Sequence, residues 1–175
     1  RPLVRKLFGV GGWGRRVATR FVAGETLDDA VRVTRELNSR GFLVSMDHLG
    51  EHVSDDALAA QARDEYLQCI ERIAAEGLDA NISVKLTQLG LGRDDALAEE
   101  SLRSLAARAA AAGLTVTVDM EESALTQATV DLYTRVQADF GNLGLALQAY
   151  LHRTPEDLAR VLPLGGHIRL CKGAY

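Results

Sequence analysis

From residue 42 onward the chain repeats one pattern: a short apolar run of four to six residues, then a longer stretch with apolar side chains every three or four positions. A chain that switches in this way between the strand and helix periods builds βα units around a parallel sheet. Five strands are expected, at 42–46, 80–85, 115–119, 143–148 and 167–170, nearly all apolar, as parallel strands covered on both faces are. Four helices, 55–76, 94–112, 123–140 and 154–162, lie between them, and one more, 25–40, entered from Thr26, precedes the first strand. Ser54 or Asp55, Ser123 and Thr154 suit N-caps, and Pro155 suits a first helical turn. Gly77, Gly113 and Gly141 follow helix ends, where a left-handed residue is common.

Two architectures fit this pattern. A five-stranded doubly wound sheet is complete at this length, whereas a (β/α)8 barrel takes about 250 residues. A dinucleotide-binding sheet carries G-x-G-x-x-G after its first strand, but here that strand runs into Asp47-His48-Leu49-Gly50-Glu51. The Gly11-Gly12-Trp13-Gly14 cluster precedes any strand and has no nucleotide role. With no low-complexity linker, residues 1–41 read as an N-terminal helical extension and 42–175 as the first part of one α/β domain.

Composition excludes more than it identifies. At 47% hydrophobic, 25% charged and net charge -4, the 175 residues have enough apolar material for one core and are expected to be soluble. The acidic balance speaks against a nucleic-acid partner, which needs a local excess of Lys and Arg. Cys69 and Cys171 are isolated, so neither a disulfide framework nor a metal site is expected, and a reducing cytoplasm is the default. No apolar run approaches the roughly 20 residues of a membrane span, and the first residues lack a signal peptide's apolar core. Segment 1–21 interleaves Arg1, Arg5, Lys6, Arg15, Arg16 and Arg20 with apolar residues. It suits a short packed helix better than a membrane-surface helix, with transient contact to an anionic surface as the alternative.

A polar group within an apolar strand costs free energy unless it is paired, which singles out Lys85, Asp119, Gln148 and Arg169. Each closes, or nearly closes, a successive strand, and in a barrel the four converge on the C-terminal mouth where barrel enzymes place their chemistry. Lys85 suits a carboxylate or phosphate, and Asp119 suits orienting it or accepting a proton, against a purely structural Lys–Asp pair. Gln148 suits the edge of a heterocycle, or backbone alone. Arg169 and Lys172, with Gly173 permitting close backbone approach, suggest an anionic or electron-rich cofactor, although two cations three apart are also common on surfaces. His48 and Glu51 read more simply as a solvated histidine and a loop carboxylate bonded to backbone. Cys171 reads more simply as a buried, inert thiol, and Tyr175 either stacks on a ligand or packs.

Together, Asp47-His48-Leu49-Gly50-Glu51, Ser83-Val84-Lys85-Leu86-Thr87-Gln88-Leu89-Gly90, Val118-Asp119-Met120-Glu121, Leu147-Gln148-Ala149-Tyr150-Leu151 and Arg169-Leu170-Cys171-Lys172-Gly173-Ala174-Tyr175 resemble the proline dehydrogenase family in order and spacing. The resemblance implies a distorted (β/α)8 TIM-type barrel, of which this chain supplies about the first five βα units after N-terminal helices. It implies FAD in the mouth, oxidation of L-proline to Δ1-pyrroline-5-carboxylate, and electrons passed to a membrane quinone. Lys85 would then bind the proline carboxylate, and Asp119 would position the substrate and Lys85. Met120 and Gln148 would contact the flavin, Arg169 would sit near its reactive nitrogen, Lys172, Gly173 and Ala174 would line it, and Tyr175 would shape the proline pocket. Cys171 stands where many relatives carry an aliphatic residue.

The same resemblance places a paired-arginine motif on a final helix and adenine-side contacts on later strands, none of them in these 175 residues, so the chain alone is not expected to turn over proline. A cytoplasmic protein, peripheral at the inner membrane, is the matching localisation. The competing expectations are a different barrel enzyme with Lys85 as an anion-binding or Schiff-base lysine, and a non-catalytic interaction module using the basic N-terminal segment.

Overall fold

The computed structural model describes residues 22–50 and 52–173. Two compact units divide the chain between Leu43 and Val44. In the described part of the first, helix α1 (Leu27–Ser39) begins at Thr26, whose hydroxyl accepts from the Asp29 N–H at 3.2 Å. Asp28 and Asp29 add negative charge to its positive end. The basic segment 1–21 and the glycine cluster within it lie outside the described residues.

In the second unit, β1 (Val44–Asp47), β2 (Ala80–Val84), β3 (Val116–Val118), β4 (Leu143–Gln148) and β5 (Ile168–Cys171) form one parallel sheet in the order β1-β2-β3-β4-β5. A doubly wound sheet reverses its strand order at a switch point, whereas sequential neighbours, each pair joined by a helix, are how a (β/α)8 barrel begins. The strand order thus decides the architecture that the periodicity left open. The connecting helices are α2 (Asp56–Glu76), α3 (Asp95–Ala111), α4 (Thr126–Phe140) and α5 (Thr154–Val161).

Helix α2 buries Ala59, Ala62, Tyr66, Cys69, Ile70 and Ile73, and α3 buries Ala98, Leu102, Leu105, Ala106 and Ala109, the spacing of one helical face. Asp55, rather than Ser54, caps α2 by accepting from the Leu58 N–H at 2.9 Å, and Asp94 caps α3 at 3.0 Å from Leu97 N. Two expected caps are absent. A 3-10 turn (Ser123–Leu125) precedes α4, so Ser123 makes no cap bond, and the Thr154 hydroxyl instead donates to the Gln148 carbonyl at 2.5 Å. Gly77 and Gly141 close α2 and α4 in the left-handed region, and Gly113 has φ 70°.

The strands are less uniformly apolar than expected, because only one sheet face meets the helices. Ile82, Val84, Val116, Val118, Leu145 and Leu147 are buried there. The other face is polar and laced across strands. Asn81 Nδ2 donates to Thr117 Oγ1 at 3.0 Å, and Thr117 Oγ1 lies 2.8 Å from His167 Nε2. Gly144 leaves the room this requires, since a Cβ there would stand 2.1 Å from His167 Nε2. Nearer the C-terminal ends of the strands, the same face carries Asp47, Ser83, Lys85, Asp119 and Arg169.

Candidate functional site

Lys85 follows directly on β2, which places its ammonium at the C-terminal end of the sheet. Its nearest carboxylate is Asp47, with Nζ donating to Oδ2 at 2.7 Å, while Asp119 Oδ2 lies at 3.5 Å. The lysine and Asp119 are largely enclosed, with side chains 14% and 16% exposed. Burial alone would lower the Lys85 pKa, but the Asp47 hydrogen bond and the charges of Asp47 and Asp119 together outweigh it and hold it above the ordinary value. Asp119 serves a second cation on its other oxygen: Oδ1 accepts from Arg169 Nη2 and from Ser83 Oγ, the latter at 2.6 Å. Asp47, Lys85, Asp119 and Arg169 thus form an alternating chain of charge across four of the five strands' ends.

Behind Asp47 stands Tyr66 of α2, whose hydroxyl donates to Gln88 Oε1 at 3.0 Å and lies 3.5 Å from Asp47 Oδ1. Burial first, and the Asp47 charge second, raise this phenol's pKa well above its usual value, so it remains a donor. Gln88 Nε2 lies 3.2 Å from His48 Nδ1, which also faces Glu65 Oε2 at 3.1 Å. His48 is therefore partnered as well as solvated.

Gln148 closes β4 and is buried. Its Nε2 donates to the carbonyls of Met120 and Glu121 at 3.3 and 3.2 Å, while its Oε1 is buried with no hydrogen-bond partner among the described residues. Met120 is also buried. Past β5 the pairing continues, with Tyr150 N–H donating to the Lys172 carbonyl at 3.2 Å, while Lys172 itself is exposed. Gly173 has φ 105°, and the Tyr150 ring stands 2.0 Å from where its Cβ would be, so packing already requires glycine there. Cys171 is half-buried rather than buried, whereas burial pushes the Cys69 thiol up to about 11. Glu51, Ala174 and Tyr175 lie outside the described residues.

Sequence reasoning missed Asp47, Ser83 and Glu121 as site residues. Asp47 was detectable as the polar residue that closes β1, although its register partner on β2 is Ser83 rather than Lys85. Ser83 and Glu121 had no such signal. A serine in a strand is unremarkable, and Glu121 lies beside Glu122, which the structure leaves exposed while it buries Glu121.

The proline dehydrogenase family model matches residues 30–175. The chain belongs to this family. Proline dehydrogenase 1 of Bacillus subtilis subsp. natto is 37% identical over 164 residues, covering 93% of this chain and 54% of that protein. Proline dehydrogenase of Deinococcus radiodurans is 32% identical over 180 residues, covering 100% of this chain and 57% of its own length. The chain thus spans about half the length of the curated relatives it matches. Among solved structures, proline utilization A (PutA) from Bdellovibrio bacteriovorus, inactivated by N-propargylglycine, superposes with a TM-score of 0.83 at 23% identity, covering 93% of this chain and 20% of that one. That likeness concerns the fold, and it agrees with the barrel beginning that the strand order defines. Family membership also turns the scattered strand-end residues into one question: what the Lys85 and Gln148 sides of the mouth hold between them.

Proposed function

We propose that this chain supplies the first part of the mouth of a flavin-dependent proline dehydrogenase, which oxidises L-proline to Δ1-pyrroline-5-carboxylate and passes the electrons to a quinone. One observation carries the proposal beyond family membership. A charged lysine held between two carboxylates shares the strand-end mouth with a buried amide oxygen that has no partner among the described residues. Lys85 meets the proline carboxylate, exchanging one of its two anionic partners for the substrate. Asp119 keeps Lys85 and Arg169 in place from its two oxygens. Fixing the carboxylate in this way orients the substrate ring, and such positioning contributes several kcal/mol to a rate.

The donor set fits FAD. Gln148 spends both amide hydrogens on main-chain carbonyls, so its orphaned oxygen suits an N–H on the edge of a flavin ring. Met120 and Gln148 would contact the ring, Arg169 would lie near its reactive nitrogen, and Lys172, Gly173 and Ala174 would line the rest. Tyr175 would shape the proline pocket. The flavin, when bound, supplies the two-electron acceptor for the hydride leaving the substrate carbon beside nitrogen. With a membrane quinone as acceptor, the protein would work from the cytoplasm with transient contact at the inner membrane.

The test is the visible spectrum of the purified polypeptide that carries this chain, before and after anaerobic addition of L-proline. Flavin bands bleached by proline are expected. Bands that proline leaves unchanged would remove the substrate assignment, and a colourless protein would remove the cofactor.

A further inference from the structure

Glu121 is 3% exposed and Thr87 is 2% exposed. A buried carboxylate is costly unless hydrogen bonds meet both of its oxygens. Here Thr87 supplies both: its peptide N–H donates to Oε1 at 3.0 Å and its hydroxyl donates to Oε2. The threonine hydroxyl thus points its proton at Glu121. Its lone pairs are then left for the His52 N–H, 3.3 Å away. At its own peptide, Glu121 offers the carbonyl that, with that of Met120, receives the Gln148 amide. The Thr154 hydroxyl in turn donates to the Gln148 carbonyl. One hydrogen-bonded path therefore joins the segments after β1, β2, β3 and β4, with Glu121 at its centre.

On each side of Glu121 that path touches the site. Thr87 is two residues past Lys85, in a turn where Gln88 N–H donates to the Lys85 carbonyl at 3.1 Å. On the other side, the two carbonyl contacts determine which atom of Gln148 is left free. We propose that Glu121, acting through the Thr87 hydroxyl and through its own carbonyl, is a positioning residue that sets Lys85 and Gln148 in register across the mouth. The proposal rests on flavin-dependent proline oxidation as the activity, and it assigns Glu121 no contact with substrate or cofactor.

The decisive variant is Thr87→Val, which keeps the shape and the N–H bond to Glu121 but removes the hydroxyl, compared with Thr87→Ser, which restores it. Both are made in the flavin-loaded polypeptide that carries this chain. Thr87→Val is expected to raise the proline KM about tenfold, the scale on which a displaced positioning contact acts, with a smaller change in kcat. It should also shift the visible flavin bands and speed hydrogen exchange at the His52 amide. Thr87→Ser should return all three readouts to the wild-type values. If Thr87→Val matches the wild type in KM, spectrum and exchange, the positioning role is overturned while the activity stands. If the wild type is not bleached by proline, both fall together. Should Thr87→Val fail to fold, Glu121→Gln decides. It keeps an acceptor for the Thr87 N–H and turns an amide toward the hydroxyl, so an unchanged KM and spectrum there would equally overturn the role.

Discussion

At Lys85, two influences oppose each other and the outcome constrains the chemistry. The neighbouring carboxylates overcome the burial penalty and keep the amine protonated, which suits holding an anion and opposes attack on a carbonyl. The alternative of a Schiff-base lysine therefore predicts a borohydride-trappable adduct that should not form here, and mass spectrometry after incubation with carbonyl substrates and borohydride checks this. In the flavin-loaded polypeptide that carries this chain, and if the proposed activity holds, replacing Lys85 with Met should raise the proline KM by about 10- to 100-fold, the range for losing a hydrogen bond to a charged group, as steady-state kinetics would measure. A bland position gives the opposite prediction. Ser101 of α3 is fully buried, and its hydroxyl has no hydrogen-bond partner among the described residues. Ser101→Ala should therefore be neutral or stabilising by up to about 1 kcal/mol in thermal unfolding, since it removes an unpaired buried group from a helix interior. Legibility divides along similar lines. Lys85, Asp119, Gln148 and Arg169 stood out because each interrupts an apolar strand. Glu121 did not, because its burial is decided by Thr87, 34 residues away.

Among the elements, β4 and β5 depend on a pairing of a missing side chain with a present one. The His167 ring occupies the space above Gly144, so Gly144→Ala should destabilise by about 1–3 kcal/mol through overpacking. Adding His167→Ala should recover much of that loss, and a chemical-denaturation double-mutant cycle would show the coupling. Additive effects would mean that the ring simply swings aside. Lost hydration, and after it the Arg169 charge, hold the His167 pKa below its ordinary value. The unfolded chain then binds the proton at a higher pH than the folded one, so this contribution is complete above about pH 6.5 and is lost as pH falls through the lower folded value. The drop in denaturant midpoint between pH 7 and pH 5 should accordingly be smaller in His167→Gln than in the wild type. Helix and strand positions were legible because the two periods differ so clearly. The capping at Ser123 was not, because the 3-10 turn before α4 has no sequence period of its own. The polar ladder of Asn81, Thr117 and His167 escaped notice because each residue alone is unexceptional in a short strand.

Among the described residues, β1 and β5 of the sheet pair on one side only. The barrel architecture was open in the periodicity and settled by strand order, because periodicity reports what each segment is and says nothing of which segment lies beside it. The same order leaves Leu170 of β5 60% exposed, unlike the apolar residues of β4, which are buried. Unpaired strand edges with exposed apolar side chains recruit other chains. The 175-residue polypeptide on its own should therefore self-associate with rising concentration in sedimentation velocity. Leu170→Lys should weaken that association without lowering the melting temperature, because the side chain it replaces packs on little. In a longer polypeptide whose further strands cover β5, the same substitution would bury a charge and should cost several kcal/mol. The contrast between the two contexts is the informative result. A monomeric 175-residue chain, or a Leu170→Lys variant equally tolerated in both, would mean that β5 is not where the sheet continues.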